Sequence, residues 1–489
     1  MRVAAGNGKR GNGEQETRVI DRLWLYPPLA YGRLGPSTTP CDNYVWGPND
    51  LSSRGTGRTT VQPAETLDVA EDGTVTLRQP ATVTFKDAAG FRPVCPFFEL
   101  HGAWTADGVT HEGPITAEVL AAAGVALGDV RWEVEVANLK PHHYTQVDDD
   151  RIVATVSIAG DDTGRRALDG HSPAGSAAPL VPAGSRVPLG SVQLTRPSAE
   201  LPELRLRFTP AVGAVYGPTD LPNRTSDYVL PADRLVLSPQ SPWVGFALGG
   251  DDPRTNPGGL FAGAEGNAGL GLVDDVCDGT VRVVLPAGPG QPAELSAVAR
   301  IVVGPPDFAP DQRPFTSAAD GLTDRVRRAD VRDPAYVADA ARTTLEVRDL
   351  FERILETVAT VNVDAQNGRA RFENIAIARS RGEPEAAARD RAFPAAEPLT
   401  DHPFPLTEAA RARHRRFLAL EVLEDLLRER PDLLPTVVRE PATSERYYDR
   451  RMPALMRGSD RHPMHLTRRQ YDLLRAWSAA LRQDVEQGT

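Results

Sequence analysis

From Val19 to about Pro314 the apolar residues come in short runs broken by Gly, Pro, Asn and Asp: "RLWLYP", "TVTLRQPATVTF", "VRWEVEVAN", "RIVATVSIA", "LRLRFTP", "RLVLSP", "TVRVVLP" and "AVARIVVGPP". In two of them the alternation is clean, at Trp132, Val134, Val136 and at Leu204, Leu206, Phe208. A period of two is what a strand with one buried face requires, because successive side chains point to opposite sides of the sheet. Runs of this kind, recurring with proline-rich connections, predict antiparallel sheets packed as in a sandwich.

After "GPPDFAPDQRPF" the period changes. Leu345, Leu350, Phe351, Ile354, Leu355 and Val358 follow the three-four spacing of a helix with Arg and Glu opposite. A second amphipathic helix is expected from an N-cap at Thr407 to just before Pro431, and a third in "LTRRQYDLLRAWSAALRQDVE". The fold class that follows is α+β, an antiparallel β-rich N-terminal domain over residues 18–314 and a mainly α-helical C-terminal domain over 315–489. Residues 1–17, polar and glycine-rich, have too little apolar surface to offset the entropy of ordering and are expected to form a flexible tail. No internal repeat is visible.

Composition narrows the function classes. The chain has 489 residues, 40% of them hydrophobic, enough for at least one large core. Its formal net charge of -11 opposes nucleic acid and anionic membranes unless a basic patch overrides it. The basic stretch "RARHRRF", residues 411–417, is flanked by Glu408, Glu421, Glu424 and Asp425 and reads as a solvated, ion-paired helix face. The three cysteines, Cys41, Cys95 and Cys277, match neither a disulfide framework nor a CxxC metal site. No stretch has the apolar core of a signal peptide or the length of a membrane span, so a cytoplasmic protein is expected. Nucleotide fingerprints and the GxSxG elbow are absent.

Six stretches, in order, resemble the LodA/GoxA-like family of cysteine tryptophylquinone-dependent amino-acid oxidases. "LWLYPPLAYGRLGPS" resembles the family's opening pattern through Tyr26, Pro27, Gly32, Arg33, Gly35 and Ser37. "VRWEVEVANLKPHHY" matches a family strand at Ala137, Asn138 and Lys140, and "VPLGSV" a strand opening. "DDVCDG" keeps Asp274, Asp275, Val276, Asp278 and Gly279, "ARIVVGPPDFAPD" matches almost residue for residue, and "MPALMRGSD…HLTRRQYDLLRAW" resembles the family's terminal region. The resemblance implies a β-rich scaffold acting on amino acids, with a cofactor made from a tryptophan joined to a cysteine in the C-terminal portion. Here the last cysteine is Cys277 and Trp477 is the only tryptophan on the C-terminal side. The quinone is therefore not expected, and no other cofactor is identified by the sequence.

Several residues are candidates within that frame. His465 and Tyr471 lie in the stretch resembling the terminal catalytic region, where acid-base groups are expected; imidazole titrates near neutrality, which favours His465. On local sequence alone His465 reads more readily as an exposed histidine ahead of a helix capped by Thr467. Arg33 is either a carboxylate clamp for an amino-acid-like substrate or a structural arginine bonding loop carbonyls. Asp274, Asp275 and Asp278 can orient a substrate ammonium group or bind a hard cation, and they are also the residues a tight turn needs. Cys277, among carboxylates that oppose thiolate formation, reads as a small buried polar residue. His142 and His143, followed by Asp148, Asp149 and Asp150, are the nearest approach to a metal site; adjacent histidines on an extended chain face opposite sides, and no metal is expected.

Two functions of different class follow. One is an enzyme acting on a small-molecule amine or amino-acid-derived substrate, without nucleic acid or membrane as partner and with a homo-oligomer allowed. The other is a non-catalytic binding or assembly protein on the same scaffold.

Overall fold

The structure is a computed structural model. It describes residues 19–47, 61–106, 108–224, 229–247, 270–288, 290–306, 313–359, 427, 430–441, 456–457, 462–463 and 465–487. The expected tail, and all but Leu427 and Arg430 of the helix expected from Thr407, lie outside these residues.

The chain divides into two compact units, one of Met1–Val45 and Gln62–Phe308, the other of Trp46–Val61 and Ala309–Thr489. In chain order, the strands of the first that position the site are β1 (Val19–Tyr26), β2 (Leu29–Arg33), β3 (Thr66–Val69), β4 (Val75–Arg78), β5 (Phe97–Ala106), β6 (Val109–Pro114), β7 (Arg131–Asn138) and β8 (Ile152–Ala159). They continue with β9 (Arg166–Gly170), β10 (Val187–Leu194), β11 (Arg205–Pro210), β12 (Val215–Pro218), β13 (Leu235–Leu237), β14 (Val273–Asp274), β15 (Asp278–Leu285) and β16 (Leu295–Gly304).

A six-stranded sheet runs β1-β5-β11-β10-β9, with β6 sharing an edge of β5 with β11. A five-stranded sheet runs β8-β7-β15-β16-β2; its pairings are antiparallel except β16 with β2. The two sheets contribute to one hydrophobic core. In β7 the alternation is as expected: Trp132, Val134 and Val136 are at most 1% exposed and the residues between them face outward. Gly279 sits where β15 presses on β7, since a Cβ there would fall 1.9 Å from Glu135 O. Only glycine allows that approach.

β11 departs from the expected pattern. Leu206 and Phe208 face the core, yet Arg205 and Arg207 on the opposite side are also buried. The reason is a cover on that side: Arg196 N–H donates to Gly73 O in the turn joining β3 and β4. "PATVTF" contributes no strand before Lys86, and β2 gains its partner by a parallel register that local alternation does not encode.

In the second unit, α-helices form at Ala318–Arg327, Pro334–Ala338, Ala340–Ala359 and Arg468–Gln487. Ser317 with Asp320, and Thr467 with Gln470, exchange side-chain and backbone bonds in capping boxes. Val347, Leu350, Phe351 and Ile354 pack with Leu473, Leu474 and Trp477. Leu345, expected on the same stripe, is 52% exposed. It lies five positions before Leu350, which at about 100° per residue turns it well off the buried face.

Candidate functional site

β7 and β14 bring two of the resembling stretches together. Asn138, at the buried end of β7, donates Nδ2 to Asp274 O at 2.8 Å and to Asp274 Oδ1 at 3.1 Å. Lys140 donates its backbone N–H to Asn138 Oδ1 and pairs through Nζ with Asp274 Oδ2. Val276 N–H donates to Asp274 Oδ1 at 3.3 Å, closing the turn. Asp274 is thus a latch between β7 and the 273–279 turn.

Asp275 faces the other way and is fully buried. Its Oδ2 accepts N–H bonds from Gly213 at 3.1 Å and Ala214 at 2.8 Å, while its own N–H donates to Ala214 O at 3.2 Å. Oδ1 has no hydrogen-bond partner among the described residues. Burial pushes its pKa up to about 6, with the charge of Asp274 adding and the two backbone N–H groups opposing. Its charge in turn helps burial raise the Tyr216 phenol, so that hydroxyl stays protonated. Asp278 opens β15 exposed to solvent, opposite Ala137 and Val302. Arg33 ends β2 near the same end of the sheet and donates to Pro305 O at 3.3 Å, the carbonyl-bonding role.

Cys277 is buried, donates its thiol to Leu189 O, and is pushed up to about 12 by burial and by Asp278 and Asp275. Such a thiol is inert near neutrality. His142 and His143 are not on an extended chain: they lie in a short helix, Lys140–Thr145, where His142 Nδ1 meets Val147 O and His143 packs edge-on to Tyr144. Among the described residues no group of three His, Cys, Asp or Glu is placed to hold a metal ion.

The three aspartates are therefore neighbours with three different environments. His465 and Tyr471 belong to the helical unit. His465 is partly buried just ahead of the last helix, and Tyr471 is 2% exposed with the Arg468 guanidinium 5.8 Å above its ring.

One buried acid was named from the sequence only as a member of the acidic run after His142 and His143. Asp150, fully buried, accepts the Trp243 backbone N–H at 3.1 Å through Oδ1, with Oδ2 unpartnered among the described residues; burial raises its pKa against the Thr145 hydroxyl and the Trp243 N–H, which lower it. Trp243 Nε1 likewise has no partner among the described residues, and its ring lies 5.9 Å from Tyr144. The run Asp148–Asp150 forms one 3-10 turn, whose residues project in three directions, so only the last points inward. The signal was the bracketing of that run by apolar Val147 and Ile152.

No protein-family profile matches the chain, and no curated protein does. Solved structures that resemble it include those of L-Lys epsilon-oxidase from Marinomonas mediterranea. The Schiff base intermediate of that enzyme with L-Lys shares 17% identity at a TM-score of 0.32, covering 62% of this chain and 38% of that one. A further structure of the oxidase gives 16%, 0.39, 93% and 60%. The chain thus spans less than two thirds of the oxidase's length in either alignment, and the likeness is a distant structural one. Among the described residues no helix is long and apolar enough to cross a membrane.

Proposed function

We propose that the β-rich unit recognises a small amine or amino-acid-derived molecule, on a scaffold like that of the quinone amino-acid oxidases but without a quinone of its own making. The observation that carries this reading is Asp275, a buried carboxylate with one oxygen held by two backbone N–H groups and the other unpartnered among the described residues. Such an oxygen suits an ammonium group, whose charge would replace the missing counter-ion. Above about pH 6 the carboxylate is ionised and competent for that role. Asp150 offers a second acceptor of the same kind in the same unit.

Loss of the quinone is supported by the residues present. The sequence has no cysteine beyond Cys277, and Cys277 is a buried thiol already bonded to a carbonyl. Trp477 is 2% exposed in the helical core. These residues do not fit the cross-linked cofactor. The compartment proposed is the cytoplasm, on the sparse and unpaired cysteines.

A binding or assembly protein is the second reading, favoured by the fact that Asp274, Asn138, Lys140 and Arg33 are all engaged in internal bonds. The test is calorimetric titration of glycine, L-lysine and a simple primary amine into the wild type and Asp275→Asn at pH 7.5. Saturable binding lost in the variant supports the proposal, and turnover of a bound amine separates enzyme from binder. Absence of binding by any amine defeats it. An intact mass below the sequence value by the hydrogens of a cross-link, with visible absorption, would refute the loss of the quinone.

A further inference from the structure

Arg205 and Arg207 alternate on the outer face of the six-stranded sheet and are 7% and 6% exposed. The turn joining β3 and β4 lies on this face. Gln193 of β10 donates Nε2 to Ala70 O at 3.0 Å, Glu71 O at 2.9 Å and Thr163 O at 3.1 Å. Gly73, at φ +82°, comes so close that a Cβ would meet Thr163 Cβ at 2.7 Å and Leu194 O at 2.9 Å. The cover is thus fixed to the sheet by the backbone itself.

The two arginines differ in their partners. Arg205 is neutralised by Glu99 at 2.6 Å and Glu203 at 2.9 Å. Arg207 has no carboxylate or carbonyl partner among the described residues; its neighbours there are the Cys95 thiol and its cross-strand residues Phe97 and Gln193. The thiol does not supply the missing charge, since burial raises its pKa in spite of Arg207. A second cation, the exposed Arg165, and the hydroxyl of Thr209 are also close enough to act on that thiol. A guanidinium largely withdrawn from water without a counter-charge among the described residues is costly, so this face is complementary to an anion.

Gln193 restricts which anion. Three carbonyls fix its amide nitrogen, and Oε1 is left buried with no partner among the described residues, on the residue paired across the strands with Arg207. Cross-strand neighbours on one face have Cβ atoms about 5 Å apart, so one small ligand spans both side chains. It must present anionic oxygens to the arginine and an O–H to the amide oxygen.

We propose that Arg207, Arg165, Thr209 and Gln193 form an oxyanion site selective for a protonated phosphate, either inorganic hydrogen phosphate or the monoanion of a phosphate monoester. This site is independent of Asp275 and of the amine reading. It lies on the outer face of the six-stranded sheet, whereas Asp275 is tied to the backbone of Gly213 and Ala214.

The test is thermal-shift and calorimetric titration of the full chain at pH 6 with inorganic phosphate, phenyl phosphate, sulfate and acetate. Phosphate should bind saturably, sulfate at least tenfold more weakly for want of a hydrogen to donate, and acetate not measurably. Tight binding of phenyl phosphate would place a monoester in the site, and its exclusion would leave the inorganic ion. Arg207→Gln should abolish the response. Should that variant fail to fold, Arg165→Gln decides, because its side chain is exposed; it should weaken phosphate binding roughly fivefold, as expected for removing one partly screened charge. No saturable phosphate response in the wild type, or an unchanged response in Arg165→Gln, overturns the site. Equal binding of sulfate overturns the part assigned to Gln193.

Discussion

Asp42 and Asp275 are both buried aspartates of the β-rich unit, 5% and 0% exposed, yet they are held in opposite ways. Arg92 grips Asp42 with two nitrogens, at 2.8 and 3.2 Å, and Arg78 adds a third bond at 2.7 Å. Burial pushes that carboxyl up, but the bonds from Arg78 and Arg92 outweigh it and the pKa falls below the usual range. Asp275 has backbone N–H groups and no cation among the described residues, and burial wins. The pair teaches that a buried acid is a structural lock where guanidinium meets it and a reserve of unsatisfied charge where only the main chain does. The same contrast separates Arg205 from Arg207 with the signs reversed.

The strongest way to break this contrast is to take the cation from Asp42. Arg92→Ala leaves a buried carboxylate with Arg78 as its remaining cation and is expected to cost about 3–5 kcal/mol in denaturant unfolding at pH 7. A loss below about 1 kcal/mol would make the Asp42 cluster an ordinary surface pair.

Next in size is the pH dependence at Asp275. Its folded pKa lies above the unfolded value, so the native state holds the proton more tightly; stability should fall as pH rises from about 4 to about 6 and stay flat above. The cost at pH 7 is about 3 kcal/mol, because each tenfold gain in proton affinity on folding is worth about 1.4 kcal/mol. Asp275→Asn keeps an acceptor for Gly213 and Ala214 and removes the charge. It should be as stable as the wild type or more so at pH 7 and lose most of that slope; Asp150, raised in the same sense, retains part of it. Asp42 has the opposite sign, and its contribution disappears as pH drops through its depressed folded value. A variant destabilised at pH 7 with the slope intact would mean that the charge of Asp275 is already compensated.

How much of this could be read from the chain depends on distance along it. Alternation at Trp132, Val134 and Val136 and the three-four spacing at Leu350, Phe351 and Ile354 are local, and the elements formed there. The capping residue Thr467 was local too. The parallel pairing of β2 with β16 joins residues some 270 positions apart, and nothing in either strand announces it. For the same reason the three aspartates could be named but not told apart. Asp274 becomes a latch through Asn138 and Lys140, and Asp275 a buried charge through Gly213 and Ala214, partners that only the fold delivers. Arg207 was invisible as a site, because its burial depends on the β3–β4 turn laid over it.

The smallest expected effect tests whether Asp274 belongs with the locks or with the reserves. Its partner Lys140 is 56% exposed and its own side chain 35%, so the pair is largely solvated and screened. Lys140→Met should therefore change stability by less than about 1 kcal/mol, and less still in high salt. Asn138, buried to 2%, holds Asp274 through one bond to its carboxylate and one to its backbone carbonyl, and the variant leaves both in place. If Lys140→Met instead costs as much as Arg92→Ala, the latch is electrostatic rather than amide-based. Asp274 would then stand beside Asp42, leaving Asp275 as the buried acid of that turn with no cation among the described residues.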